Sequence, residues 1–356
     1  MVPMMKKQMG MVQLPDDLII EIMARLPPKS ALRFRCLSKS WKAFLSSPNF
    51  IRMHLNHVTE NKYKYMQQLV LSSTYSLQLM NYTAYKKTAS TLDFPMEYPN
   101  WKRFPTLFVM VLGSCNGLLC AAVPTKTLII WNPSIREFKK LPLSCPLNDS
   151  KLDGFGFGYD HSTDDYKVIR FLYSIGRGLL LMGSFIGLVI CLDNPQQGQE
   201  GGPCSDTAHW ILGFDLTFDK FEAFPPPKDL KEESKFTLGV IGGCLSLAQN
   251  LYGDRIEMWK LDKGDTKKGW IKVMTIMNPQ RLPCPYGLVP ICIMKNGEVL
   301  LSYDEIMLFS RSVTKPRRFV LYDTVKGTFR KLKIDGIGQW SRAIPYIESL
   351  VSPNLI

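Results

Sequence analysis

No Cys-x-x-Cys pair occurs in this chain, and its nine cysteines are irregularly spaced. That argues against a disulfide framework and against a zinc ribbon or finger. Several cysteines sit in apolar runs, Cys120 before Ala121-Ala122 and Cys292 between Ile291 and Ile293. Buried free thiols fit a reducing compartment. Histidine is scarce: His54, His57, His161 and His209 lie far apart. His54 and His57 share a helical face, but no carboxylate or cysteine joins them at metal spacing, so surface or capping roles are expected and no metal or cofactor. No nucleophile–base pair stands out among Ser, Cys and His, and no catalytic elbow is present, so no enzyme site is expected.

Long runs of one kind are missing too. The net charge is +13. Yet the basic residues are scattered in small groups such as Lys86-Lys87, Lys139-Lys140, Lys267-Lys268 and Lys315 with Arg317-Arg318. None is the run of about five to eight expected of a nucleic-acid patch. A soluble basic surface is expected, and no nucleic-acid partner. The longest apolar run, Leu179 to Leu192, holds Gly183, Ser184 and Gly187 and is too short to span a bilayer as a helix. Met1 to Gln13 has two lysines and no signal-peptide stretch. The expected location is cytoplasmic and/or nuclear, with no membrane partner.

What is present divides in two. Pro15-Asp16-Asp17 opens a helix: proline suits the first position, and carboxylates oppose the positive end of the dipole. Leu14, Leu18, Ile22 and Leu26 recur every four residues, beside Ile19, and lay an apolar stripe along Asp16 to Arg25. Pro27-Pro28 stops it. A second short helix is expected from Pro28 to Arg35, with Leu32 and Cys36 inward. Ser38 caps a third carrying Trp41, Phe44 and Leu45. Ser46 to Asn49 closes that helix, and Phe50 and Met53 extend the module a turn or two. Some forty residues bury little core alone. The stripe therefore completes itself against a partner or against the rest of its own chain, and physics alone leaves both open.

Leu14-Pro15-Asp16-Asp17-Leu18, Ile22 to Ser30, and Arg33 to Trp41, within Met11 to His54, resemble the F-box of the plant superfamily in order and spacing. The resemblance implies a helical F-box over residues 11–55. It also implies docking, through the leading Leu-Pro and the leucine stripe, on the helical adaptor subunit that links F-box proteins to a cullin. Carried over residue by residue, that role falls to Leu14, Pro15, Leu18, Ile22, Leu26 and Pro27, with Trp41 in the tryptophan position. Ala31 stands where the family often has a larger residue.

After a linker, expected between Asn56 and Gln67, aromatic and β-branched runs alternate with Gly, Pro, Asn and Asp. A repeat emerges. Trp131 is followed by Phe138, Phe214 by Phe221 and Tyr322 by Phe329, each seven residues on, with an apolar residue ten after the first aromatic. Each unit reads as strand, polar turn, strand. A looser fourth unit, Trp259 with Trp270 and Val273, calls for a four-residue insertion within Lys263 to Gly269. A propeller blade takes about 40–50 residues, and the spacing of these units suits one blade or nearly two, except from Trp259 to Tyr322. Gly113 to Cys120, Trp131-Asn132-Pro133, and Gly154 to Asp160 followed by Asp165 to Val168 resemble the F-box-associated, kelch-related domain, which follows the F-box in many plant proteins including the S-locus F-box group. That resemblance covers about Gly113 to Ser349 and implies a β-propeller-like domain over residues 66–349.

Gly154, Gly156 and Gly158 are read as close blade packing, because a phosphate loop needs a following helix and Tyr159 to Asp165 is a turn. Asp160, Asp164 and Asp165 are explained by that turn. Trp101, Trp131, Trp210, Trp259, Trp270 and Trp340 are expected mostly in blade core, with one or two available to a binding face. Leu179 to Leu192 does not alternate. It is either a fully buried strand or a segment foreign to the fold, and the filler-like Gln196 to Gly202 favours the second.

The expectation is a small all-α F-box followed by a mainly β, propeller-like domain. By resemblance, the chain is the non-catalytic substrate-recognition subunit of an SCF-type cullin–RING ubiquitin ligase, reaching the cullin through the adaptor and holding an unidentified target protein on the β domain. One alternative is a protein-binding scaffold or inhibitor without ubiquitin transfer. A propeller oxidase would need a Tyr, His and Cys copper set that the histidine spacing does not offer.

Overall fold

The computed structural model describes residues 15–61, 68–72, 76–82, 88–95, 109–123, 127–142, 152–173, 185–191, 209–231, 236–241, 244–251, 254–262, 269–277, 289–294, 296–304, 317–337 and 342–355. Four helices come first: α1 (Asp16–Ala24), α2 (Pro28–Phe34), α3 (Lys39–Leu45) and α4 (Pro48–Glu60). The caps are those the sequence provides. Pro15 and Pro27 precede α1 and α2, the Ser38 hydroxyl accepts the Trp41 amide at 3.1 Å, and the Ser47 hydroxyl accepts the Phe50 amide at 3.3 Å. The expected linker begins too early. α4 runs on to Glu60, and its Val58 is buried.

The rest is strand. In chain order these are β1 (Gln68–Ser72), β2 (Leu77–Asn81), β3 (Ala89–Thr91), β4 (Met110–Cys115), β5 (Leu118–Val123), β6 (Thr127–Asn132), β7 (Glu137–Leu141), β8 (Leu152–Asp160), β9 (Asp165–Tyr173), β10 (Phe185–Cys191) and β11 (His209–Asp215). They continue with β12 (Lys220–Phe224), β13 (Phe236–Ile241), β14 (Cys244–Leu251), β15 (Arg255–Asp262), β16 (Gly269–Met277), β17 (Val289–Ile293), β18 (Val299–Asp304), β19 (Arg317–Asp323), β20 (Thr328–Lys331) and β21 (Arg342–Tyr346). Four antiparallel four-stranded blades form a propeller-like ring: β21-β1-β2-β3, β4-β5-β6-β7, β13-β14-β15-β16 and β17-β18-β19-β20. The first strands β13, β17, β21, β4 and β8 stand side by side in that order. The ends of the β domain meet in one blade, where β21 pairs with β1 from Gln68↔Tyr346 to Ser72↔Arg342.

Between β8 and β12 the blade pattern changes. The hairpin β8-β9 starts like a blade and β11-β12 finishes like one, but β10 pairs with β11 from Phe185↔Asp215 to Cys191↔His209. β10 therefore runs in the direction of a blade's second strand, and it occupies the edge of β11 that the second strand holds in the full blades. Apolar clusters fill every junction of the ring. Trp131 and Ile129 pack with Val70 and Tyr346, Ile211 and Phe224 with Leu247 and Trp259, and Met258 with Leu301 and Tyr322. Leu300 packs with Leu69, and Leu216 sits against Ile169 of β9.

The seven-residue repeat is a hairpin register. Trp131 faces Phe138, Phe214 faces Phe221 and Tyr322 faces Phe329, with ring centroids 4.9 Å apart in the second pair and 5.0 Å in the third. The residue after the first aromatic is Asn or Asp, and its side chain accepts the amide two residues on: Asn132 from Ser134 at 2.9 Å, Asp215 from Thr217 at 2.8 Å, Asp323 from Val325 at 3.0 Å. The turn closes through a left-handed residue, Arg136 (φ 61°), Asp219 (φ 51°) or Gly327 (φ 63°). A further copy lies in β8-β9, where Tyr159 faces Tyr166, Asp160 accepts from Ser162, and Asp164 has φ 55°. The looser unit differs from expectation. Trp259 faces Lys272, whose ammonium lies 5.6 Å from the indole centroid, and Trp270 faces Leu261. A bulge at Met258/Trp259 adds to the longer loop, so a four-residue insertion alone does not describe it.

Candidate functional site

α1 presents two faces. Ile19 and Met23 turn inward, and Leu26 just beyond the helix joins them, in a cluster with Ala31, Leu45, Phe50 and Ile51. Leu18 and Ile22, one turn apart, point outward at 46% and 49% exposure. Four-residue steps advance 400° around a helix of 3.6 residues per turn, so the stripe drifts about 40° per step. That rotation, together with the end of α1 at Ala24, leaves Leu18 and Ile22 outside and lets Leu26, past the helix, pack into the core. Pro15 and Pro27 are exposed, and Leu14 lies outside the described residues. Leu37, in the turn after α2, adds a third outward apolar side chain at 65% exposure. Glu21 and Arg25 form an ion pair one turn apart beside Ile22. The outer face of α1 thus carries two adjacent apolar side chains with an ion pair beside them.

Trp41 is half-buried, its ring 6.5 Å from Phe34 and edge-on to Phe44 at 6.0 Å. Trp41 and Leu26 are therefore core members that hold the outer face in place, while Pro15, Leu18, Ile22 and Pro27 are accessible. His54 departs from its expected surface role. It is fully buried, and its Nε2 lies 2.8 Å from the Leu26 carbonyl oxygen. Burial pushes its pKa below the usual value, against the carbonyl contact. Arg35 donates to the Leu45 carbonyl at 2.9 Å and lies in the field of Glu137 on the ring.

The sequence left open whether the helices complete themselves on a partner or on the rest of the chain; their inner side shares one core with the ring. Met23, Ala31, Leu45, Phe50 and Ile51 pack in the same cluster as Leu112, Leu118, Ile130, Phe155 and Phe157. Arg52 pairs with Asp164 in the β8-β9 turn, and Lys29 with Glu348 at 3.1 Å. The glycine run lies within β8, in register with β9. A side chain in place of Gly113 on β4 would come within 3.3 Å of the Phe157 Cβ, so close packing of first strands explains a glycine there. Asp160 is buried, and desolvation alone would raise its pKa. Hydrogen bonds from Ser162, Lys167 and Thr163 outweigh that and hold its carboxylate well below the usual range. Burial pushes the Cys120 thiol up to about 12 and the Cys292 thiol to about 11, so both are inert free thiols. Trp131 and Trp259 are blade core, and Trp270 is half-buried with its indole N–H donated to the Pro225 carbonyl at 2.7 Å. Trp101, Trp340 and the Trp210 side chain lie outside the description. Among the described residues no three His, Cys, Asp or Glu side chains gather as a metal site, and no helix is long and apolar enough to cross a membrane.

Residues 11–53 match the F-box domain family, and residues 67–179 and 202–354 each match an F-box associated beta propeller domain family. The chain belongs to the F-box proteins with an F-box-associated propeller domain. Residues 180–201 fall between the two propeller matches, and β10 lies inside that gap. That stretch therefore supplies a strand paired in register with β11. The F-box protein is 27% identical to the F-box/kelch-repeat protein At3g23880 of Arabidopsis thaliana, over 96% of each chain. It is 26% identical to the F-box protein CPR1 of the same plant, over 82% of this chain and 79% of that one. Among solved structures, YjhT is similar at 11% identity and a TM-score of 0.27, covering 76% of this chain and 80% of that one, too low a score to carry an argument.

Proposed function

We propose that this F-box protein is the substrate-recruiting subunit of an SCF-type cullin–RING ubiquitin ligase, acting in the cytosol and/or nucleus. The supporting observation is the outer face of α1. Leu18 and Ile22 stay exposed on a helix whose other face is already satisfied by core, which leaves them for a partner. With Pro15 and Pro27 they form the surface that meets the helical adaptor, and Leu26 and Trp41 support it from beneath. The ring holds the target protein. The chain performs no chemistry of its own; it raises the local concentration of target lysines near a conjugating enzyme carried elsewhere on the assembly.

Affinity purification of the full chain from plant cells, followed by mass spectrometry, tests this. Wild type recovers adaptor, cullin and a target; Ile22→Asp recovers the target and loses adaptor and cullin. Truncating an interface anchor costs about 1–4 kcal/mol of binding, and a buried unpaired charge costs more. A wild-type chain that recovers partners without adaptor or cullin would be a scaffold, and the ligase reading would fail.

A further inference from the structure

The last residues of the chain do something the ring does not need. The ring is joined by β21, which ends at Tyr346, and the described residues 347–355 add no strand. The tail instead passes between the ring and the F-box. Leu350 and Val351 lie in the cluster shared by Met23, Ala31, Leu45, Phe50 and Ile51 on one side and by Leu118 and Ile130 on the other. Its backbone is clasped from the ring: the Asn132 amide donates to the carbonyls of Ser349 at 3.1 Å and Val351 at 2.7 Å. Gly117, at φ 82°, leaves room for Ser349, since a Cβ there would sit 2.2 Å from the Ser349 hydroxyl oxygen. Glu348 is held from both sides, by Lys29 of the F-box at 3.1 Å and by Gln68 of β1 at 3.4 Å.

We propose that this C-terminal tail is the positioning element that locks the F-box to the ring and so sets the direction in which a bound target faces the conjugating enzyme. The second half rests on the ligase reading above; the first does not. Transfer by proximity works only on lysines within reach, so the angle between the adaptor-docking face and the ring selects which lysines are modified. The residues that carry the lock are Asn132, Leu350 and Val351. Asn132 lies in the Trp131-Asn132-Pro133 segment, and its clasp gives that segment a role beyond its turn.

The test uses the full chain carrying Leu350→Ala with Val351→Ala, and separately Val351→Ala as a milder change. Both leave the main-chain acceptors of Asn132 in place. Hydrogen exchange should show faster exchange across α2 to α4 in the variants, with β17 to β20 unchanged; equal protection in wild type and variants overturns the lock. In a reconstituted ligase, the chain's own modified lysines are then mapped by mass spectrometry. Unchanged adaptor affinity with modification spreading to lysines that wild type leaves bare is the expected result. An unchanged lysine set, with the exchange effect present, overturns the directional role. A wild type that does not bind the adaptor refutes the ligase reading itself, while the exchange measurement still decides the lock.

Discussion

In the ring, the apolar strands of one blade are covered by the next. Trp131, Ile129 and Val70 sit at one junction, and Met258, Leu301 and Tyr322 at another, all close to fully buried. In the F-box, four short helices bury one set of apolar side chains only by borrowing the ring's Leu118, Ile130 and Phe157, and they leave Leu18, Ile22 and Leu37 outside. At the blade junctions the ring packs its apolar residues against one another, although strand-edge and turn residues such as Phe218, Phe221 and Val325 stay exposed. The F-box instead spends one set on the ring and leaves a compact pair, Leu18 and Ile22, on the outer face of one helix. An exposed apolar side chain is informative in α1, where the next residues along, Ile19 and Met23, are committed to core while Leu18 and Ile22 are not.

The comparison breaks first at the shared cluster. Phe50 is 2% exposed, with its ring 5.0 Å from Phe44. Phe50→Ala should cost about 3–5 kcal/mol. Because the helices and the ring share that core, calorimetry should show one transition shifted downward; separate helical and ring transitions in wild type would show the two are independent. The sharing also bears on a fragment starting after α4. It would expose Leu118, Ile130 and Phe157, so independent solubility of the β domain, natural to expect from two sequence textures, no longer follows.

Next comes the clasp. Asn132→Ala leaves two buried carbonyls without their donor and should cost about 1–3 kcal/mol, measured by denaturant titration. Asn132→Asp should be no better, since a carboxylate cannot donate to a carbonyl.

The smallest effect is on pH. Burial lowers the pKa of His54, with His57 nearby adding to the shift, so the folded state binds its proton less readily than the unfolded chain. Stability should be intact above the ordinary pKa of 6.5 and should fall as pH drops from there toward the folded value. His54→Gln should flatten the fall in melting temperature between roughly pH 6.5 and pH 5. An equal slope in wild type and variant would assign the effect elsewhere.

How much of this was legible varies by residue. The turns were: an aromatic, an Asx and a second aromatic seven on are local features, and the same rule, applied once more, would have found Tyr159 and Tyr166. The α1 stripe was legible as a stripe, but not which of its members face out, because the 40° drift matters only once a core exists on one side. The pairing of β21 with β1 left no mark, since the partners lie at opposite ends of the β domain and each reads as an ordinary strand. β10 was ambiguous for a physical reason: a continuous apolar run carries no period from which to read a face. Burial of His54 was missed because one histidine on an apolar helical face reads the same whether that face meets water or the core.

The central claim is that Leu18 belongs to a partner and Leu26 to the fold, although both sit on one stripe. Melting temperature and adaptor affinity, measured side by side for Leu18→Asp and Leu26→Asp, test it directly. Leu18→Asp should melt like wild type and lose the adaptor, while Leu26→Asp should melt well below it. Should Leu18→Asp bind the adaptor as wild type does, or melt as low as Leu26→Asp, the division of α1 into a docking face and a core face would be wrong.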